Sequence, residues 1–450
     1  MKNYLCPLYL LPTLSILLFS SFPFQGESAQ NSTLSMHPSL APAKLRSLQL
    51  SPDYRVNTIT DGAQIAPSVA GLARGGFVIV WQSMNANSSS SAEDIQGRIY
   101  ALDGNPLGPE FTVPADPVNS QTAPRVTGLK DGGFVVAWVN TVSSVAQLKF
   151  RIFEADGTPR TGDLIASDSG FTNVKKCQVV AFESGFLIAW ISGNVYFKYF
   201  DSNGVTNMIN AIQANTQSGI IDDLSMGILS DGSILIIWSW EFNAYLLIQA
   251  QKFTNTFIQM GSEYTIDPGS GRQTQPVLVT LPGLEYVVVW IEGGDVYLKK
   301  LHDNETSVIP KLMVNSFTNG IQMNPTAAAL TNGDVFIAWD SEVQDPPSQN
   351  NKGVYSKKLY SNGSLDSTDI RVNAIVANTQ KLPFAATVGA GIVVTWESDN
   401  NGVEVWMRFY STPTEEKCFS NEDCPPEFPY CFEETEIVYL VLTPHSAQTL

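Results

Sequence analysis

The sequence predicts an all-β fold in which seven four-stranded antiparallel blades close into a ring, and three observations carry that prediction. A short apolar strand ending in tryptophan occurs seven times: GGFVIVW, DGGFVVAW, SGFLIAW, GSILIIW, LEYVVVW, GDVFIAW and GIVVTW. Both faces of each copy are apolar, so each needs cover on two sides. The last copy lacks a fourth strand, while a spare one, DYRVNTI, stands ahead of the first.

The chain begins MKNYLCPLYLLPTLSILLFSSFPFQGESAQ, a single lysine, an apolar run and then small residues, the pattern of a secretory signal peptide over residues 1–28. Pro7, Pro12 and Pro23 interrupt the run and argue against a membrane helix, and no later stretch is apolar enough to span. The mature chain is therefore expected to be secreted or at the cell surface, with residues 29–52 as a linker. Charge and composition narrow the class. Apolar residues make up 44% of the 450, enough for a large core, and the formal net charge of −17 disfavours nucleic acid and anionic membranes as partners.

The ring is assigned to residues 53–412. Its anchors are Trp81, Trp138, Trp190, Trp238, Trp290, Trp339 and Trp396, spaced 48 to 57 residues apart. In the second copy Phe134, Val136 and Trp138 alternate with Val135, Ala137 and Val139, a strand with no polar face. Ahead of most anchors a shorter extended run opens at proline: Pro67, Pro124, Pro276, Pro325 and Pro383. Asp-Gly or Asn-Gly turns then supply the positive φ of a hairpin, as in LKDGGF and LTNGDV. A third strand follows in which apolar residues alternate with Lys or Arg (LKFRIF, VYLKKL, VWMRFY), and a Gly-containing turn leads to a short fourth. About 50 residues and four strands make one blade of a radial array. The seventh copy stops at three strands, and DYRVNTI (53–59) matches DIRVNAI (369–375), so the N-terminal strand is expected to complete it. Closure of this kind removes the unpaired edges of an open array.

On these residues the chain resembles seven-bladed β-propellers, and its DGGFVVAW repeat looks like those of large secreted, adhesin-like or calcium-associated proteins. The resemblance covers residues 53 to about 410 and is specific for architecture. It lacks a WD dipeptide following a Gly-His, a sialidase-type Ser-x-Asp-x-Gly-x-Thr-Trp box and matched kelch doublets.

Residues 413–450 form a separate Cys-containing tail. Cys177, Cys418, Cys424 and Cys431 are disulfide candidates under the export reading, with no pairing preferred; C-x5-C-x6-C does not fit a zinc knuckle. Sequons at Asn31, Asn87, Asn304 and Asn362 are glycosylation candidates.

Chemistry is harder to find. His37, His302 and His445 have no partner pattern, Gly-rich turns precede no phosphate-cradling helix, and no calcium loop is present, so neither a metal site nor a catalytic triad is predicted. The DSNG turn at 201–204 has cation-ligand residue types that are also ordinary turn residues. The loops joining second to third strands share one rim with those that enter the next blade. Glu241, Glu292, Asp295, Asp340, Glu342, Glu397 and Asp399 lie just after the anchors of blades four to seven and would make that rim acidic. Such a rim suits a basic partner, calcium, or two carboxylates acting as acid and base on a glycosidic bond. Trp240 and Trp406 are candidates for sugar stacking or for packing. The leading expectation is a non-catalytic propeller that binds an extracellular protein or glycan through this rim. A glycoside hydrolase and a structural surface protein are the alternatives.

Overall fold

The computed structural model describes residues 49–84, 93–116, 119–243, 245–269, 271–345, 351–399 and 402–411. The expected signal peptide, the tail with Cys418, Cys424 and Cys431, and the sequons at Asn31 and Asn87 lie outside them. The architecture is the predicted one: an all-β propeller of seven four-stranded antiparallel blades, spanning 64–112, 120–165, 177–213, 220–265, 273–313, 322–371 and 380–411. The first strand of each blade touches the first strand of the next all the way round, the seventh meeting the first, so these strands line a central channel. The only helical turn among the described residues is the 3-10 turn Pro282–Leu284.

Two-sided burial explains the stacking. In the strand Phe134–Val142 every side chain from Phe134 to Asn140 is buried. Val135, Ala137 and Val139 pack with Phe186, Ile188 and Trp190 of blade three, while Phe134, Val136 and Trp138 pack with Val78 and Val80 of blade one. Alternate residues thus feed two different interblade cores, and all seven anchor tryptophans are buried to within 1% of full. The turn before this strand is closed by Asp131, whose carboxylate accepts the Gly133 N–H at 3.0 Å, with Gly132 at φ 101°, a conformation glycine adopts without steric cost.

The N-terminal segment completes blade seven as expected. Tyr54 and Arg55 pair antiparallel with Met407 and Trp406, and pairing begins earlier than the sequence suggested, at Gln49–Leu50 opposite Ser411 and Tyr410. The likeness of DYRVNTI to DIRVNAI is reproduced bond for bond. Asn57 accepts the Val405 N–H at 2.9 Å and donates to the Ile59 carbonyl; Asn373 accepts the Val354 N–H at 2.8 Å and donates to the Ile375 carbonyl. Asn215 and Asn315 do the same in blades three and five.

The alternating cations of the third strands also have an interblade task. Arg151 donates to the Val113 carbonyl of the preceding blade at 2.9 Å, Lys299 to Ile266 at 2.8 Å, and Arg408 to Val372. Arg98 donates to Val56 at 3.1 Å, treating the N-terminal segment as the outer strand of its neighbour. Acidic residues of the fourth strands reach backward as well: Asp369 caps Ser316 and Phe317, and Asp53 caps Ala374 and Ile375 in the same way. These charged residues stitch the ring together.

Candidate functional site

The seven rim carboxylates do not gather into one group, although Asp340 and Glu342 both face Lys352, at 3.6 and 3.4 Å. Glu241 faces Arg272 at 3.6 Å and Glu342 faces Lys352 at 3.4 Å. Asp295 accepts from Asn315 at 2.7 Å, and Asp399 is exposed. Glu292 accepts from the Trp290 indole at 3.1 Å and from Lys311 at 2.5 Å. Burial pushes its pKa up, but the bonds from Lys311 and Trp290 outweigh that and hold it below the ordinary carboxylate value.

Asp340 and Glu397 are a different kind of residue. The second strands continue past tryptophan, through Glu342 and Asp399 respectively, so both carboxylates stand inside the sheet and are buried. Glu397 accepts the Ala66 N–H of the following blade at 2.7 Å, and Asp340 accepts the Leu382 N–H at 3.0 Å together with the Asn324 amide at 2.7 Å. Gln82, at the same position after Trp81, accepts the Ala123 N–H at 3.3 Å. Burial raises the pKa of both carboxylates above the ordinary value.

The anchored backbone is strained. Ala66, Ala123, Gln275, Asn324 and Leu382 have φ between 51° and 53°, each immediately before the proline that opens its inner strand, and each lies in a break of the strand register. A non-glycine residue before proline avoids the left-handed region, so a fixed acceptor at this point holds a costly bulge in place. A neutral glutamine doing the same work as Asp340 and Glu397 assigns the two carboxylates a structural task.

A second interior network escaped the sequence reading. Gln64, Gln121, Gln322 and Gln380 accept the indole N–H of Trp81, Trp138, Trp339 and Trp396 at 2.9, 2.5, 3.2 and 2.9 Å. Blades three and four have Val174 and Ile221 in the corresponding places, and the Trp190 and Trp238 indoles are buried without an acceptor. The signal was present as a glutamine three residues before each inner-strand proline.

Three surfaces remain available to a ligand. The central channel, of about 740 Å³, is lined by the inner strands and includes Arg125, Lys176, Asp223, Gln275, Asn324 and Phe384. On the rim, the hairpin of blade four carries Trp240 stacked on Phe242 with ring centroids 5.4 Å apart, and Tyr245 pairs with Phe242 across the turn. Phe242 and Tyr245 are 46% and 60% exposed and form an apolar ledge, with Trp240 half-buried beneath it against the core between blades three and four. Trp406 likewise packs half-buried, against the core between blades six and seven. On the opposite rim, Asn304 and Asn362 occupy exposed turns between third and fourth strands, each accepting from its own sequon hydroxyl, Thr306 and Ser364. Asp201 of the DSNG turn is engaged by the N–H groups of Asn203 and Val205. Among the described residues no group of three His, Cys, Asp or Glu side chains is placed to hold a metal ion, and no helix is long and apolar enough to cross a membrane.

Cys177 is a buried free thiol whose Sγ lies 4.0 Å from the Ala123 carbonyl, and burial pushes its pKa up to about 11.

No protein-family model and no curated protein sequence matches the chain. Solved structures do resemble it. A protein of unknown function from Dyadobacter fermentans superposes with a TM-score of 0.51 at 11% identity, over 81% of this chain and 98% of that one. An α-L-arabinanase from Penicillium chrysogenum gives 0.46 at 12% identity over 80% and 98%, and Raptor from Chaetomium thermophilum gives 0.49 at 8% identity over 82% and 30%. Likeness at these identities extends to the propeller fold alone.

Proposed function

We propose that the protein is a secreted or cell-surface propeller that binds an extracellular partner, protein or glycan, through one rim and without catalysis. The observation that carries this reading is the aromatic ledge of blade four. Trp240, Phe242 and Tyr245 offer flat apolar area to sugar rings or apolar side chains, and exposed apolar patches of this kind mark interaction sites. The sequons at Asn304 and Asn362 lie on the other rim, so glycans attached there would leave the ledge uncovered. The test is binding of the purified chain to a glycan array and to a panel of extracellular proteins, with the Trp240→Ala/Phe242→Ala double variant beside it. Loss of a specific signal in the double variant supports the reading; no wild-type signal, or an unchanged one, removes it.

Glycoside hydrolysis has one observation in its favour, two neighbouring carboxylates with raised pKa, Asp340 and Glu397, since perturbed acids gather at active sites. Their burial and the equivalent use of Gln82 weigh against it. Turnover of any chromogenic glycoside that vanishes in Glu397→Gln would reverse this ranking.

A further inference from the structure

We infer that the central channel is a binding site for a small organic carboxylate, held by the Arg125 guanidinium over the ring of Phe384. Arg125 belongs to the inner strand of blade two and pairs with Ala137, one residue before the anchor tryptophan. The same level is occupied by Gln178, Ser225, Val277, Thr326 and Phe384 in blades three to seven. Ser225 and Thr326 turn toward the next blade and accept its inner-strand N–H groups, Leu278 and Ala385. Arg125 lies over Phe384, its guanidinium carbon 5.5 Å from the ring centroid.

The guanidinium is underused. Its described hydrogen bond is from Nη1 to the Pro124 carbonyl, 2.8 Å away, and among the described residues no carboxylate pairs with it. Asp223, the acidic group that acts on it electrostatically, is ion-paired with Lys176, and the neighbouring Cys177 thiol is neutral. A permanently charged group on a channel wall with several unused N–H donors favours an anion, and its planar fork matches a carboxylate in two-point contact. In a chain of net charge −17 this is a local reversal of sign. The phenyl face beneath, with Val277 at the same level, favours an apolar group attached to the carboxylate over a bare inorganic ion. The channel volume lies within the range of small-molecule sites.

Calorimetric titration tests this with benzoate as the probe, benzamide as its neutral isostere and inorganic phosphate as the competing anion class. Benzoate is expected to bind at least ten times more tightly than either, and to weaken as sodium chloride is raised. Arg125→Gln should lower benzoate affinity at least tenfold with thermal unfolding near wild type. Phe384→Leu, which keeps the cation and removes the ring, should lower benzoate affinity and leave phosphate unchanged. The inference is overturned if benzoate does not bind, if benzamide or phosphate binds as well as benzoate, or if a folded Arg125→Gln protein binds benzoate like wild type. Should Arg125→Gln fail to fold, an unchanged benzoate affinity in Phe384→Leu overturns it alone.

Discussion

The side chain of Asn57 accepts the backbone N–H of Val405, a residue 348 positions later, and this bond repeats in blade seven the one that Asn373 makes to Val354 in blade six. A buried N–H deprived of its acceptor costs about 1–3 kcal/mol, so Asn57→Ala and Asn373→Ala should each lower stability by that order. Only the first weakens the contact that shuts the ring. Native-state hydrogen exchange should therefore show new opening of 403–411 in Asn57→Ala but not in Asn373→Ala, and equal protection in both would mean that the closing strand is not the weak seam.

The glutamine acceptors make a second prediction. Gln121→Leu leaves the buried Trp138 indole without a partner and should destabilise by about 1–3 kcal/mol in a urea titration. Blade four already lives with an unpartnered Trp238, so Ile221→Val should cost only the lost methylene, about 0.5–1.5 kcal/mol. The reverse order of the two midpoints would deny the indole bond any energetic weight.

Architecture was legible because the apolar period, the turn chemistry and the spare strand all state the same ring. The rim was less so. Asp340 and Glu397 follow tryptophan directly, where the apolar run stops, and only the continued pairing of Asp340 with Val354 and of Glu397 with Val405 reveals that they lie within the sheet. Glu292, Glu342 and Asp399 stand at strand ends, and the partners of the first two, Lys311 and Lys352, come from other strands whose register no single sequence specifies. Arg125 escaped notice because one arginine in a strand looks like any other until a channel is seen beside it.

Glu397 should make the fold less stable as pH rises. Its folded-state pKa is raised above the unfolded value of about 4.3, so the native state holds the proton longer and the carboxyl's unfavourable ionisation sets in between that value and the higher folded one. Glu397→Gln keeps an oxygen for the Ala66 N–H, as Gln82 does for Ala123, and removes this loss. Its melting temperature at pH 7 should equal or exceed that of wild type, while Glu397→Ala should fall below both. A Gln variant as unstable as the Ala variant would require the charge itself.

Glu292 should act with the opposite sign. Its folded pKa is depressed, so the stability it contributes is complete above the unfolded value and disappears as pH falls through the folded one. Glu292→Gln should lower the melting temperature at pH 7 and shrink its difference from wild type on acidification below about pH 4, where the wild-type carboxyl also gains its proton. A difference that stays constant from pH 7 to pH 3 would exclude the Lys311 pair as its source.

Cys177 separates a buried thiol from a disulfide to the tail. With a pKa pushed up to about 11 and little solvent access, the native thiol should resist iodoacetamide at pH 8, because the thiolate is the reacting species. Urea without reductant should then expose it and lead to one alkylated site at Cys177 by mass spectrometry. If Cys177 instead stays unmodified in urea until reductant is added, it is bonded to one of Cys418, Cys424 or Cys431. The inner strand of blade three would then be tethered to the C-terminal segment, and the wall beside Arg125 would owe its shape to a crosslink as well as to packing.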